Sequence, residues 1–115
     1  EALGAKTVYY PPKVRCCGGM LMATKPEIAN DLCTDLVDWA KEGQANCIAT
    51  TCPLCQSNLD MMQEEHRGKQ GSNMPALYFT QVLGYALGCD IESLGFEYHM
   101  IDPAERLAAL LEKVA

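Results

Sequence analysis

The chain has 115 residues, 49% of them hydrophobic and 21% charged, with nine Lys and Arg against 15 Asp and Glu for a net charge of −6. That is one domain able to bury a core, and it excludes intrinsic disorder, collagen-like repeats and a coiled coil. The nine cations are scattered, so no basic face for nucleic acid is expected. No apolar run approaches transmembrane length, and the opening residues do not read as a secretory leader.

In chain order, Lys6-Thr7-Val8-Tyr9-Tyr10 reads as a strand that stops at Pro11-Pro12. Val14-Arg15-Cys16-Cys17-Gly18-Gly19 reads as a loop. Thr24 and Glu27 stand at capping-box spacing, with Pro26 in the first turn of a helix closed by Gly43. Ile28, Leu32, Leu36 and Ala40 form one row of that helix, with Ala29, Cys33 and Val37 beside it. Cys47-Ile48-Ala49-Thr50-Thr51 is nearly apolar and fits a buried parallel strand. Cys52-Pro53-Leu54-Cys55 then opens a helix running to about Glu65, with Cys55, Leu59 and Met62 on one face. Residues 67–73 read as a loop and Ala76-Leu77-Tyr78-Phe79 as a third strand. Thr80 is placed as the cap of a short helix over Gln81–Leu87, and Gln81 is left without an assigned role. A further turn is expected over Asp90–Leu94. Asp102-Pro103-Ala104-Glu105 is a second capping box, before a helix with Leu107, Leu110, Leu111 and Val114 on its apolar stripe.

The predicted fold is therefore α/β, a small three-stranded parallel sheet flanked by helices, Rossmann-like, over residues 1–115 as a single domain. Strand C-terminal ends gather on one edge of such a sheet, where ligands bind. Cys16-Cys17 and Cys52/Cys55 both follow predicted strands and are expected to converge there.

Seven cysteines is a high and odd number. A disulfide-only scaffold leaves one thiol over, and a core of this size needs no staples, so metal binding or redox chemistry is the better expectation. Cys52 and Cys55 straddle a strand-to-helix turn, where free N–H groups and the helix dipole favour thiolates. Alone, that spacing fits zinc, an iron–sulfur centre or dithiol chemistry equally well. The adjacent pair Cys16-Cys17 narrows the choice. Neighbours on an extended backbone point to opposite sides and reach one ion poorly, whereas a cluster of several metal atoms can take both. Gly18-Gly19 lets the backbone come close to such a cluster. Cys33 and Cys47 are expected to pack in the core and Cys89 to lie incidentally in a turn. His66 is expected at a solvated helix end, His99 partly packed, Met61 on the surface, Met62 in the core and Trp39 half-covered.

Cys16-Cys17-Gly18-Gly19, with 34 residues between Cys17 and Cys52, and then Cys52-Pro53-Leu54-Cys55 resembles the cysteine-rich CCG domain found in the B subunits of heterodisulfide reductases. The segment Met74–Gly88 extends the likeness. The resemblance implies a non-cubane [4Fe–4S] cluster on five cysteines, with Cys16, Cys17, Cys52 and Cys55 matching four of them. It puts the fifth upstream, beyond the 15 residues before Cys16. On this view the chain is the C-terminal portion of a CCG domain, a fragment inactive by itself that holds zinc or no metal when isolated. It further implies reductive cleavage of a small heterodisulfide of the coenzyme M–coenzyme B type, or a related disulfide. The implied partners are a flavin and iron–sulfur A-like subunit and a ferredoxin-like C-like subunit. The implied location is the cytoplasm, with membrane association only through partners. Two other readings stand beside it: a thioredoxin-like oxidoreductase using Cys52 and Cys55, with Pro75 standing in for a cis-proline, and a zinc-stabilised interaction module without catalysis.

Overall fold

In the computed structural model, which describes residues 2, 4–65, 74–104 and 106–108, the longest element is α1, Pro26–Glu42. Pro26 takes the first helical position, where a missing N–H costs nothing. The predicted Thr24 cap does not form. Lys25 precedes the helix without a side-chain cap, and both the Thr24 and Lys25 N–H groups donate to the Leu21 carbonyl, at 3.1 and 2.7 Å. A 3₁₀ turn at Gly19–Leu21 thus leads directly into α1 and takes the place of a cap. The buried stripe is Ala29, Cys33, Leu36, Val37 and Ala40, while Ile28 is exposed at its edge. Gly43 closes the helix as expected.

After α1 come β1 (Ile48–Thr50), α2 (Pro53–Glu65), β2 (Ala76–Tyr78) and α3 (Phe79–Ala86). The strands pair in parallel, Ile48 with Ala76, Ala49 with Leu77 and Thr50 with Tyr78. Among the described residues the sheet has two strands, not three. Lys6–Tyr10 forms no strand and stays outside it. Tyr9 is 84% exposed. The Tyr10 hydroxyl donates to the Leu36 carbonyl at 3.0 Å, and Val8 and Tyr9 lie against Gly43. The segment is held along α1, and Pro11 and Pro12 turn it away into a 3₁₀ turn at Pro11–Val14. Its β-forming composition meets no strand to pair with, and propensity alone does not make a ladder.

β2 divides the core. Ala76 belongs to a cluster with Cys17, Cys33, Leu36, Val37, Ala40, Leu59, Met62 and Met74. Leu77, its neighbour, belongs to another with Phe96 and Leu107, against which Cys47, Val82, Tyr85, Leu94 and Ala104 pack. Successive strand residues face opposite ways, so one short strand serves two layers. Each large apolar side chain buried here contributes about 1.5–3 kcal/mol. β1 is less covered than predicted, since Ala49 is exposed.

α3 starts one residue after β2, at Phe79, so Thr80 lies within its first turn rather than capping it. The capping side chain is Gln81, whose Oε1 accepts the Tyr78 N–H at 2.9 Å. The turn expected near residue 90 is present as 3₁₀ geometry at Ile91–Leu94, followed by another at Phe96–Tyr98. The Asp102 carboxylate accepts the Ala104 N–H at 2.8 Å and Leu107 N–H donates to Pro103 O at 3.0 Å, which starts the expected last helix. The loop at 67–73, His66, and Leu110, Leu111 and Val114 lie outside the described residues.

Candidate metal centre

The two cysteine pairs are brought together from different elements. Cys16 and Cys17 sit in the loop between the turns at Pro11–Val14 and Gly19–Leu21. Arg15 anchors its start through an exposed ion pair with Asp35 of α1 and by donating its N–H to Pro12 O at 2.8 Å. Cys16 is exposed to solvent and Cys17 is buried, as neighbours on an extended chain should divide. Gly18 then takes φ +76°, a conformation that favours glycine. Its N–H reaches back to Cys16 Sγ at 3.4 Å.

The second pair is set by the end of β1. Thr50 Oγ1 accepts the Cys52 N–H at 3.1 Å and turns the chain into α2. Cys52 is exposed, and its sulfur accepts the Cys55 N–H at 3.4 Å. That backbone bond, with the Cys55 thiol, lowers the pKa of Cys52 below the ordinary cysteine value. Cys55 goes the other way, pushed up to about 12 by burial and by its hydrogen bond with the Cys17 thiol. The helix-start expectation therefore holds for Cys52 and fails for Cys55, where burial outweighs the effect of the helix start.

Cys55 packs against the buried cluster that contains Cys17, and this joins the two segments. At Gly19 the loop packs closely on α2, with the Leu54 side chain against its backbone, where an added Cβ would lie 2.9 Å from Leu54 Cγ and 3.5 Å from Cys17 Sγ. The predicted convergence is thus observed, although the first loop does not follow a strand. Among the described residues no three His, Cys, Asp or Glu side chains are drawn together tightly enough for a single ion. The donors are thiols from two close segments, one pair adjacent in sequence. That set suits an iron–sulfur cluster of several atoms.

Cys33 lies beneath the site. It is buried on α1, and its thiol donates to the Cys17 carbonyl at 3.4 Å. Burial, with Cys17 and Cys16 nearby, pushes it up to about 12. Cys47 is half-buried, its pKa also raised by burial, and Cys89 is exposed. Pro75 does not take the cis form, since no cis peptide bond occurs among the described residues.

Two groups of polar residues carry no signal in the sequence. Asn58 of α2 is buried, and its amide donates to Cys17 O at 3.2 Å and to Cys33 Sγ at 3.1 Å. On the other side of α2, an open cavity of about 400 Å³ is lined by Gln56, Asp60, Gln81, Tyr98 and His99 among others. His99 is partly packed, as expected, between Gln56 (3.5 Å from Nδ1) and Gln81 (2.9 Å from Nε2). Polar residues on a helix read as solvated from spacing alone. Only the segments packed onto α2 reveal Asn58 and Asp60 as buried.

The family model of the CCG cysteine-rich domain matches residues 1–60, which contain all four of these cysteines. The chain belongs to the CCG cysteine-rich domain family. It is 39% identical over 98 residues to a protein of Archaeoglobus profundus described as like the B subunit of heterodisulfide reductase, covering 82% of this chain and 33% of that one. It is 32% identical over 116 residues to the B subunit of the ferredoxin:CoB-CoM heterodisulfide reductase of Methanosarcina mazei, covering 97% and 39%. It is 33% identical over 104 residues to the 8-methylmenaquinol:fumarate reductase membrane anchor subunit of Wolinella succinogenes, covering 89% and 37%. The chain thus spans well under half the length of these relatives. No described helix is long and apolar enough to cross a membrane.

Proposed function

We propose that this CCG chain is part of an iron–sulfur redox subunit of the heterodisulfide reductase B type. In this reading Cys16, Cys17, Cys52 and Cys55 hold a non-cubane [4Fe–4S] cluster together with a fifth cysteine from elsewhere in the protein. The observation that carries it is the packing of the Cys16-Cys17 loop on the Cys52/Cys55 turn, with Cys55 against the buried cluster that contains Cys17 and Leu54 against the backbone of Gly19.

A bound cluster supplies electrons one at a time at a potential tuned by burial and hydrogen bonds to sulfur. The reaction proposed for the whole protein is cleavage of a small disulfide, which consumes two electrons and two protons and releases two thiols. This chain's residues supply the holding geometry. Cys17 is buried and Cys55 half-buried. Cys16 and Cys52 face solvent, the side from which a disulfide would approach. Electrons would come from flavin-bearing and ferredoxin-like partner subunits, and any membrane association would run through partners.

The split between Cys52 and Cys55 also favours a second reading, in which Cys52 is the nucleophile of a dithiol oxidoreductase and Cys55 its resolving thiol. Iron, acid-labile sulfide and zinc measured in anaerobically purified full-length protein, with and without Cys16→Ser, separate the two. Iron and sulfide in near-equal amounts, lost in Cys16→Ser, support the cluster. Metal-free protein with disulfide reductase activity that survives Cys16→Ser supports the dithiol. Zinc alone, one per chain and resistant to iron–sulfide reconstitution, overturns both and supports a structural zinc module.

A further inference from the structure

Resting on the cluster reading above, we infer that Asn58, working with Cys33, is a positioning residue that fixes the Cys16-Cys17 loop to the helix carrying Cys52 and Cys55. The Cys17 carbonyl is the anchor point. It accepts one hydrogen bond from the Asn58 amide at 3.2 Å and one from the Cys33 thiol at 3.4 Å. The same amide donates to Cys33 Sγ at 3.1 Å, which closes a triangle of α1, α2 and the loop. Asn58 stands three residues after Cys55, one helical turn along the same face, so both side chains reach the same loop.

The peptide unit is planar, so a carbonyl held on one side aims the following N–H to the other. With the Cys17 carbonyl pinned inward, the Gly18 N–H points at Cys16 Sγ, 3.4 Å away. Asn58 therefore acts on the centre through a backbone N–H···S bond, one of the devices that set a cluster's potential.

The other half of the Asn58 side chain points the same way. Asn58 is 4% exposed, and its Oδ1 is buried with no hydrogen-bond partner among the described residues. An unpaired buried carbonyl is costly, and a leucine of similar volume would avoid it. A residue chosen for folding alone would not be an asparagine. Its two donated bonds are the reason to keep it, and both end at the cysteine loop or the thiol beneath it.

The test compares iron-loaded full-length wild type with Asn58→Leu, Cys33→Ala and Cys33→Ser. The readouts are the reduction potential, the paramagnetic spectrum, iron and sulfide content, and melting of the metal-free form. The expected result is an Asn58→Leu protein that melts no lower than wild type without metal. Once loaded, its potential is more negative and its spectrum altered, because an N–H···S bond that favours the reduced state is loosened. Cys33→Ala shifts the same way by less, and Cys33→Ser, which still donates to Cys17 O, stays near wild type. Should Asn58→Leu fail to fold, the Cys33 pair carries the same comparison. Potentials and spectra that match wild type in both Asn58→Leu and Cys33→Ala overturn the inference while the cluster reading stands. Absence of iron and sulfide from wild type overturns both.

Discussion

Gly18→Ala isolates the backbone demand of the cysteine loop. Gly18 sits at φ +76°, and a non-glycine residue in that region costs about 1–2 kcal/mol. The added methyl would lie 2.8 Å from Leu32 Cδ1 and 3.3 Å from Ala29 Cα. Leu32 can rotate, but Ala29 is fixed within α1, so a clash against backbone remains. Overpacking of this kind costs about 1–3 kcal/mol, and the stiffer unfolded chain returns about 0.4–1 kcal/mol. The net expectation is a loss of about 2–3 kcal/mol, a large part of the stability of a small domain. Gly19→Ala is the control. Its methyl meets Leu54 Cγ at 2.9 Å, but Leu54 is 46% exposed and free to swing outward. It should cost less than about 1 kcal/mol, in the range of ordinary surface changes. Urea unfolding of both variants, reduced and metal-free, measures the difference. Equal losses, or a Gly18→Ala loss below about 1 kcal/mol, would refute the reasoning that a left-handed turn against α1 backbone holds the loop.

Three further outcomes are expected. Asp60 accepts the Met100 and Ile101 N–H groups at 2.7 and 2.9 Å in a buried position. Asp60→Ala should therefore cost about 3 kcal/mol in thermal or urea unfolding, and Asp60→Asn, which keeps one acceptor, about half of that. Gln81→Ala removes the acceptor of the Tyr78 N–H and the donor to Leu94 O, and should cost about 2 kcal/mol while speeding amide exchange at the start of α3. Stability should fall as pH rises above about 9. Tyr10 and Cys47 are acids whose pKa burial raises in the fold, so the unfolded chain releases their protons first and each further pH unit favours unfolding. Urea midpoints from pH 8 to 11 test this, with Tyr10→Phe and Cys47→Ala flattening the slope; a slope unchanged in the double variant would remove these two groups as its source.

The legible parts of the sequence are those where a local rule meets no rival. α1 announces itself through period, Pro26 and Gly43, and α2 through the turn at Cys52. The parallel pairing of β1 with β2 follows from apolar strands separated by a helix. Convergence of the two cysteine pairs is readable too, though the path is not. Lys6–Tyr10 has strand composition, but its place along α1 depends on Tyr10 reaching Leu36 O, a contact 26 residues away. Thr24 and Thr80 have the chemistry of caps. They lose to a preceding 3₁₀ turn and to Gln81, which tertiary arrangement alone puts in place.

α2 shows why the polar part of the site is hidden from sequence. Leu59 and Met62, on the expected apolar face, pack in one cluster with residues of α1, but Asn58, Asp60 and Gln63 are as buried as they are. Each closes on the backbone of a segment with no ladder of its own: Asn58 on Cys17, Asp60 on Met100 and Ile101, Gln63 on both the N–H and the carbonyl of Met74. An apolar face would tolerate rotation of α2 by a fraction of a turn, because dispersion and burial are weakly directional. Three sets of hydrogen bonds aimed in different directions do not. The rotation of α2 about its axis sets where the Cys52 and Cys55 side chains lie, and a metal centre needs its ligands placed within about half an ångström. The polar residues of α2 thus serve the same end as the glycines of the facing loop. Gly18 and Gly19 let the loop come close, and Asn58, Asp60 and Gln63 fix the angle at which the helix meets it.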